Sequence, residues 1–224
     1  MIKAVLFDLD GTLLDTSEGI KHSVRHTISV MGYNQLPEET ILKFVGPPIQ
    51  NSLMTFCGVD SEEAQRGANV FRDFYKSNAL FEAELYDGII ELLKSLRNKG
   101  IKIGVATYKR EDYAIDLLKH FGIDKFCDVI HGADNENRLS KADIIELCIK
   151  EIGEDKKDIV LVGDTVHDAK GAETAHIDFI AALWGFGFKS KTDSINSNCL
   201  CVADSALDIM IMLNNDILSL MSTK

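Results

Sequence analysis

The chain has 224 residues, of which 46% are hydrophobic and 26% are charged, with 24 basic and 35 acidic side chains. The apolar content excludes a disordered chain, and the length suits one large domain or a core with a smaller companion. The formal net charge of −11 argues against nucleic acid and anionic membranes as partners, because both bind basic surfaces.

Short apolar runs recur along the chain and predict buried β-strands, because they are rich in β-branched residues and too short for helices. In chain order the runs are Lys3–Phe7, Lys102–Ala106, Asp128–His131, Ile159–Val162 and Phe179–Leu183. Helical patterns lie between them, and this alternation is typical of a parallel sheet covered by helices. We therefore predict an α/β fold with a Rossmann-like parallel sheet in three layers, helix, sheet and helix.

The predicted helices between the strands carry start and stop signals. Asp87 is expected to cap a helix that ends at Gly100. A second helical pattern ends before Gly122, and Ser140 with Asp143 resembles a capping box at the start of a third.

The alternation is interrupted between residues 15 and 85, where no strand is predicted. Two amphipathic helices are indicated there by apolar residues at helical spacing, namely Ile20, Val24, Ile28 and Met31, then Ala64, Ala68, Phe71 and Tyr75. Because about seventy residues are too many for an ordinary connection, we predict an inserted all-helical domain over residues 15–85. The α/β core then comprises residues 1–14 and 86–224.

Polar residues follow three of the predicted strands, and four of these residues are acidic. They are Asp8 and Asp10 after the first strand, Thr107 and Tyr108 after the second, and Asp164 and Asp168 after the fourth. In open α/β sheets, ligands bind beyond the carboxyl ends of the strands. Turn and cap formation would explain any one of the acids, but neighbouring carboxylates repel by roughly 4 kcal/mol per close pair at an effective dielectric of 20. A magnesium ion would remove this conflict, because Mg²⁺ binds a few carboxylates together with water and a substrate phosphate.

The run Asp8-Leu9-Asp10-Gly11-Thr12-Leu13-Leu14-Asp15 resembles the first motif of the haloacid dehalogenase-like phosphatases, DxDGT followed by a further acid. Thr107 matches the second motif, Lys141 the lysine of the third, and Asp164 with Asp168 the GDxxxD of the fourth. The resemblance spans nearly the whole chain. The position of the helical insert is similar to that of the cap in the phosphoglycolate phosphatase-like branch.

The resemblance implies a role for each acid. Asp8 would be the nucleophile that forms an aspartyl-phosphate, and Asp10 the general acid and base, with its backbone carbonyl as a metal ligand. Asp164 would bind Mg²⁺ directly. Asp168 would either bind the metal through water or steady Lys141, and the sequence leaves both roles open. The implied metal set is thus Asp8, Asp10, Asp164 and Asp168.

The remaining motif residues are expected to bind the phosphate. Gly11 would allow the backbone to approach it closely, and the Thr107 hydroxyl and Tyr108 amide would donate hydrogen bonds to its oxygens. Lys141 would face both the phosphate and Asp8. For the segment Trp184-Gly185-Phe186-Gly187, two interpretations stay open: it shapes the pocket, or it packs in the core.

The implied function is that of a Mg²⁺-dependent phosphoric monoester hydrolase, similar to phosphoglycolate phosphatases or 5'-nucleotidases, whose partner is a small phosphorylated metabolite. Alternatives within the superfamily are a sugar phosphomutase and a pyrophosphatase. From another class, a non-catalytic phospho-acceptor signalling domain also combines an acidic metal site with a phosphorylatable Asp. Such domains have neither an inserted cap nor an Asp two residues after the acceptor.

The sequence also gives an expectation for location. No run approaches the ~20 apolar residues of a membrane span, and the N-terminal run reaches Asp8 too early for a signal peptide. The five cysteines lack the spacing of a disulfide framework. We therefore expect a cytoplasmic protein that binds neither membrane nor nucleic acid. The sequence leaves its oligomeric state, monomer or homodimer, open.

Overall fold

The structure, a computed structural model, describes residues 1–136, 138–195 and 199–214. The chain divides into two compact units. The first combines Met1–Leu14 with the described part of Leu85–Lys224, and the second is Asp15–Glu84. Across these described stretches, no helix has both the length and the apolar composition needed to cross a bilayer.

The strands of the described residues form one large and one small sheet. They are β1 (Ala4–Phe7), β2 (Leu14–Asp15), β3 (Glu84–Leu85), β4 (Lys102–Arg110), β5 (Val129–Ala133), β6 (Ile159–Gly163), β7 (Asp178–Ala182) and β8 (Cys201–Ala203). The large sheet has the order β5-β4-β1-β6-β7-β8, and every neighbouring pair in it is parallel. This is a doubly wound order. From β1 the chain first adds β4 and β5 on one side, and then β6, β7 and β8 on the other side. The predicted Rossmann-like parallel sheet is confirmed.

Helices of the described residues flank the sheet or make up the second unit. They are α1 (Ser17–Met31), α2 (Glu38–Leu42), α3 (Ile49–Cys57), α4 (Ser61–Phe74), α5 (Ile89–Asn98), α6 (Glu111–His120), α7 (Lys141–Ile152), α8 (Val166–Ala175), α9 (Lys191–Ile195) and α10 (Ala206–Asn214). A π-helical turn, Tyr75–Ala79, follows α4, and short 3₁₀ helices span Asp124–Phe126 and Lys156–Asp158.

The central strands are held by burial. Every residue of β1 and of β6 is buried, as expected for parallel strands covered on both faces. Leu6 and Leu161 share a core cluster with Ile144 and Ile145 of α7 and Ala172 of α8. Because each fully buried large apolar side chain contributes roughly 1.5–3 kcal/mol, the ends of β1 and β6 are firmly placed.

The second predicted strand is longer than expected. It was predicted to end at Ala106, but β4 continues to Arg110, with a register irregularity against β5 between these two residues. Thr107 and Tyr108 therefore lie inside the strand rather than after it. The apolar pattern stops at Ala106 because the next residues are polar, and for that reason the pattern marked the end of the strand too early.

Other local predictions divide between right and wrong. The capping box of Ser140 with Asp143 at the start of α7 is confirmed. The cap at Asp87 is wrong, because Gly88 is the N-cap of α5, with a φ of 78° that glycine tolerates best. Strand β8 was not predicted, since three residues at a sheet edge, two of them partly exposed, carry little apolar pattern. The two-residue strands β2 and β3, which pair with each other, were too short to predict.

Candidate active site

Three buried carboxylates meet at the carboxyl ends of neighbouring strands. Asp8 directly follows β1, Asp164 directly follows β6, and Asp168 lies in the first turn of α8. One oxygen from each of these carboxylates lies within 4.8 Å of the others. Asp164 and Asp168 are fully buried, and Asp8 is 6% exposed. We refer to Asp8, Asp164 and Asp168 as the acid cluster.

Asp164 is held in place by backbone amides. Its Oδ2 accepts hydrogen bonds from the amides of Phe186 at 2.7 Å and Gly187 at 3.1 Å. A Cβ on Gly185 would lie 2.3 Å from the same oxygen, so the turn requires glycine at that position. The segment that follows β7 thus forms a cradle for Asp164. The indole of Trp184 closes the turn by donating to the Thr12 carbonyl at 3.0 Å.

Burial and neighbouring negative charge disfavour ionisation in the acid cluster. Burial, together with the charges of Asp168 and Asp8, raises the pKa of Asp164 to about 8. Burial likewise raises the pKa of Asp8 to about 6, because the favourable charge of Lys141 only partly offsets it. A bound cation would favour the ionised form of both groups.

Lys141 supplies positive charge to the acid cluster. Its Nζ lies 2.8 Å from Asp8 Oδ1 and 2.7 Å from Asp168 Oδ1, and its side chain is 3% exposed. Burial alone would lower the pKa of Lys141, but the charges of Asp168 and Asp8 raise it above its ordinary value, so the ammonium stays charged. The Tyr108 hydroxyl, which accepts from the Lys141 amide at 2.9 Å, fixes the start of α7.

The two carboxylate oxygens of Asp168 have different partners. Its Oδ2 accepts from the Thr165 amide at 3.0 Å and from the Thr165 hydroxyl at 2.6 Å, which forms the capping box of α8. Its Oδ1 contacts Lys141. The contact with Lys141, one of the two roles left open by the sequence, is present, and the same carboxylate belongs to the acid cluster.

Of the residues expected to bind phosphate, Gly11 lies against Asp164, whereas Thr107 and Tyr108 lie in the last part of β4. Gly11 has a φ of +81°, and a Cβ there would lie 2.3 Å from Asp164 Oδ2, so only glycine fits. Thr107 is 1% exposed, and its hydroxyl accepts from the Lys109 amide at 3.1 Å. The ring of Tyr108 has its centre 5.7 Å from the Nζ of Lys141.

Asp10 is paired with a different lysine from the one that contacts the acid cluster. Its Oδ2 lies 3.0 Å from the Nζ of Lys109, and the two side chains are 10% and 5% exposed. The sequence did not single out Lys109. Its place at the site depends on β4 continuing past Ala106, which the apolar pattern of the sequence does not show.

The charges of these residues fit a divalent cation. Four carboxylates and two ammonium groups leave two negative charges when all are ionised, in a largely buried site: Asp8, Asp10, Asp164, Asp168, Lys109 and Lys141. Carboxylate oxygens are the donors that Mg²⁺ prefers. The acid cluster therefore suits such an ion in both charge and ligand type.

Comparisons with known proteins agree with this geometry. Residues 5–182 match the family model described as haloacid dehalogenase-like hydrolase. Tyrosine-protein kinase PtkA of Mycobacterium tuberculosis is 34% identical over 206 residues, which cover 92% of this chain and 69% of that protein. A 5'-nucleotidase of Pseudomonas aeruginosa is 30% identical over 204 residues, covering 91% of this chain and 92% of the relative. The crystal structure of a predicted phosphatase from Clostridium acetobutylicum gives a TM-score of 0.90 at 31% identity, covering 96% of this chain and all of the other.

Proposed function

The chain belongs to the haloacid dehalogenase-like hydrolase family, and we propose that it is a Mg²⁺-dependent phosphatase that hydrolyses a small phosphomonoester through an aspartyl-phosphate at Asp8. The observation that carries the proposal is the buried acid cluster, with the Lys141 ammonium 2.8 Å from Asp8. A nucleophilic carboxylate beside a fixed cation is suited to receive a phosphoryl group.

In the first half of the proposed reaction, Asp8 attacks the phosphorus and the bond to the leaving oxygen breaks. Asp10, two residues further on, gives its proton to that oxygen. Lys141 and the Thr107 hydroxyl donate to the phosphoryl oxygens, where negative charge is concentrated. The product alcohol leaves, and the phosphoryl group stays on Asp8.

In the second half, the Asp10 carboxylate takes a proton from water, and the oxygen of that water attacks the phosphorus. The bond to Asp8 breaks, which releases inorganic phosphate and restores the Asp8 carboxylate. The acid cluster, with the backbone carbonyl of Asp10, would hold Mg²⁺. When bound, the ion offsets the repulsion between Asp8 and the phosphate and adds positive charge beside the transferred group.

We propose that the unit Asp15–Glu84 acts as a cap that selects the leaving group. The names of two relatives support separate roles for the core and the cap. One is named a tyrosine kinase and the other a nucleotidase, so both names imply transfer of a phosphoryl group, but with different reactants. The proposed partner is a small phosphorylated metabolite, and the proposed state a monomer or homodimer. Free thiols at all five cysteines support the proposed cytoplasmic location.

Hydrolysis of p-nitrophenyl phosphate tests the proposal, first with Mg²⁺, then with a chelator, then with Mg²⁺ restored. We expect turnover that the chelator abolishes and Mg²⁺ recovers, with Asp8→Asn as the inactive control. A panel of phosphoglycolate, nucleoside monophosphates, sugar phosphates and pyrophosphate then ranks substrates by kcat/KM. Phosphorylation of Asp8 without turnover would contradict the phosphatase and support a phospho-acceptor domain.

A further inference from the structure

We propose that Lys109 is the positioning residue of Asp10: its ammonium holds the Asp10 carboxylate apart from the acid cluster, where that carboxylate can exchange a proton with the leaving group. This inference rests on the proposed function and extends it to a residue outside the four sequence motifs.

The first support is the contact itself. Lys109 Nζ and Asp10 Oδ2 are 3.0 Å apart, and both side chains are at least nine-tenths buried. Moving two charges out of water is costly, so a buried pair of this kind stabilises the fold only weakly against an apolar pair of similar size. Its value here is that it fixes where the Asp10 carboxylate lies.

The second support is the division of the acids between two lysines. Lys141 contacts Asp8 and Asp168, whereas Lys109 contacts Asp10. Asp10 is only two residues from Asp8, yet its carboxylate is not among the three that form the acid cluster of the described residues. A carboxylate bound to a metal ion could not carry a proton to the leaving group. Separation by Lys109 therefore preserves the acid–base role.

The third support is the rigid backbone under Lys109. Its amide donates to the Thr107 hydroxyl at 3.1 Å. On the other side, β5 approaches so closely that a Cβ on Gly132 would lie 2.5 Å from the Lys109 carbonyl oxygen. Both contacts restrict the end of β4, so the Lys109 side chain starts from a fixed point.

The test compares two aryl phosphates of similar shape, p-nitrophenyl phosphate and phenyl phosphate. Nitrophenolate leaves readily without being protonated, whereas phenolate, a stronger base, leaves faster when an acid protonates it. Loss of the general acid therefore slows the hydrolysis of phenyl phosphate more than that of p-nitrophenyl phosphate. Because acid–base catalysis contributes about 10²–10⁴-fold, we expect Lys109→Met to lower kcat for phenyl phosphate about tenfold or more, and for p-nitrophenyl phosphate much less. Lys109→Arg keeps the charge and should recover most of the loss.

A double-mutant cycle shows whether Lys109 acts through Asp10. If it does, Asp10→Asn combined with Lys109→Met is no slower on phenyl phosphate than Asp10→Asn alone. The double variant also removes both charges of the pair, so it decides the question even if Lys109→Met alone fails to fold.

Three results would overturn the role of Lys109: equal losses on both substrates, losses that multiply in the double variant, or a raised KM with unchanged kcat. The last would make Lys109 a substrate contact instead. Failure of the proposed function is a separate outcome, because the wild-type chain with Mg²⁺ would then hydrolyse neither substrate.

Discussion

Each buried carboxylate of the site is held by a lysine ammonium or by backbone amides. Lys141 contacts Asp8 and Asp168, Lys109 contacts Asp10, and backbone amides hold Asp164. These local partners, rather than the net charge of −11, determine whether the site attracts or repels an anion. The acidic composition is therefore compatible with a phosphate ligand.

Asp8→Asn is expected to abolish turnover and leave the fold intact. The variant removes the proposed nucleophile. Because burial raises the pKa of Asp8 to about 6, the buried site does not favour a negative charge at this position, so a neutral amide there should not unfold the chain. Hydrolysis of p-nitrophenyl phosphate and a thermal melt without metal measure the two effects. Wild-type activity in this variant would exclude Asp8 as the nucleophile.

The metal-free chain is expected to lose stability as the pH rises from about 5 to about 8. The pKa values of Asp8 and Asp164 rise from 3.8 to about 6 and about 8, so in this range the folded chain holds protons that the unfolded chain has released. The free energy of unfolding therefore falls with pH. Denaturant melts in chelator at several pH values measure it, with Asp164→Asn as the reference. If the free energy of unfolding fell equally with pH in the wild-type chain and in Asp164→Asn, the raised pKa of Asp164 would be contradicted.

The residues of the site differ in how far the sequence could reveal them. Asp8, Asp10, Asp164 and Asp168 could be placed together because each follows a strand or starts a helix at the same sheet edge. Lys109 could not, because its contact with Asp10 depends on β4 continuing past its apolar part. Exposed lysines are common, and no pattern in the sequence marks this one as buried.

At the level of secondary structure, helix caps position two charged residues of the candidate site. Helix α7 begins at Lys141 with the capping box of Ser140 and Asp143, and α8 begins with that of Thr165 and Asp168. The cap of α8 uses a carboxylate that also contacts Lys141. A change to this cap should therefore affect catalysis as well as stability.

Thr165→Ala is expected to lower both the free energy of unfolding and the turnover. Loss of a side-chain cap costs about 1 kcal/mol, and here it also frees the Asp168 carboxylate that steadies Lys141. Asp60→Ala is the matched control, because the Asp60 carboxylate caps α4 in the other unit, at an exposed site. Denaturant melts and p-nitrophenyl phosphate kinetics compare the two. An equal effect of both variants on kcat would contradict the link between the α8 cap and the site.

Elements with a long apolar pattern were predictable, and short or polar ones were not. Strands β1 and β6 are buried throughout and their patterns located them within one residue. Strand β8 and the polar end of β4 owe their structure to pairing with neighbours, which a local pattern does not contain.

At the scale of the whole molecule, strand order brings distant parts of the sequence together. Asp8 and Asp164 are more than 150 residues apart, but β1 and β6 are neighbours with Phe7 paired to Val162. The site lies at the end of β1, where the chain changes from adding strands on one side of the sheet to adding them on the other. The sequence could predict this order only through the resemblance of its motifs to a known family.

Mg²⁺ is expected to stabilise the folded chain as a whole. An ion that binds only the folded state at a hundred times its Kd raises the free energy of unfolding by about 2.7 kcal/mol. Asp164→Asn should lose most of this gain, whereas Asp155→Asn, an exposed acid on the same unit, should keep it. Thermal melts over a Mg²⁺ titration measure the effect. An unchanged gain in Asp164→Asn would place the ion elsewhere.

In the proposed reaction, the phosphoryl group passes through Asp8. Acid quenching of the chain during turnover of p-nitrophenyl phosphate with Mg²⁺, followed by peptide mass spectrometry, tests it most directly. We expect one hydroxylamine-labile phosphoryl group on the peptide that contains Asp8, absent in Asp8→Asn and in chelator. A phosphoryl group on another residue, or hydrolysis that continues in Asp8→Asn, would contradict it.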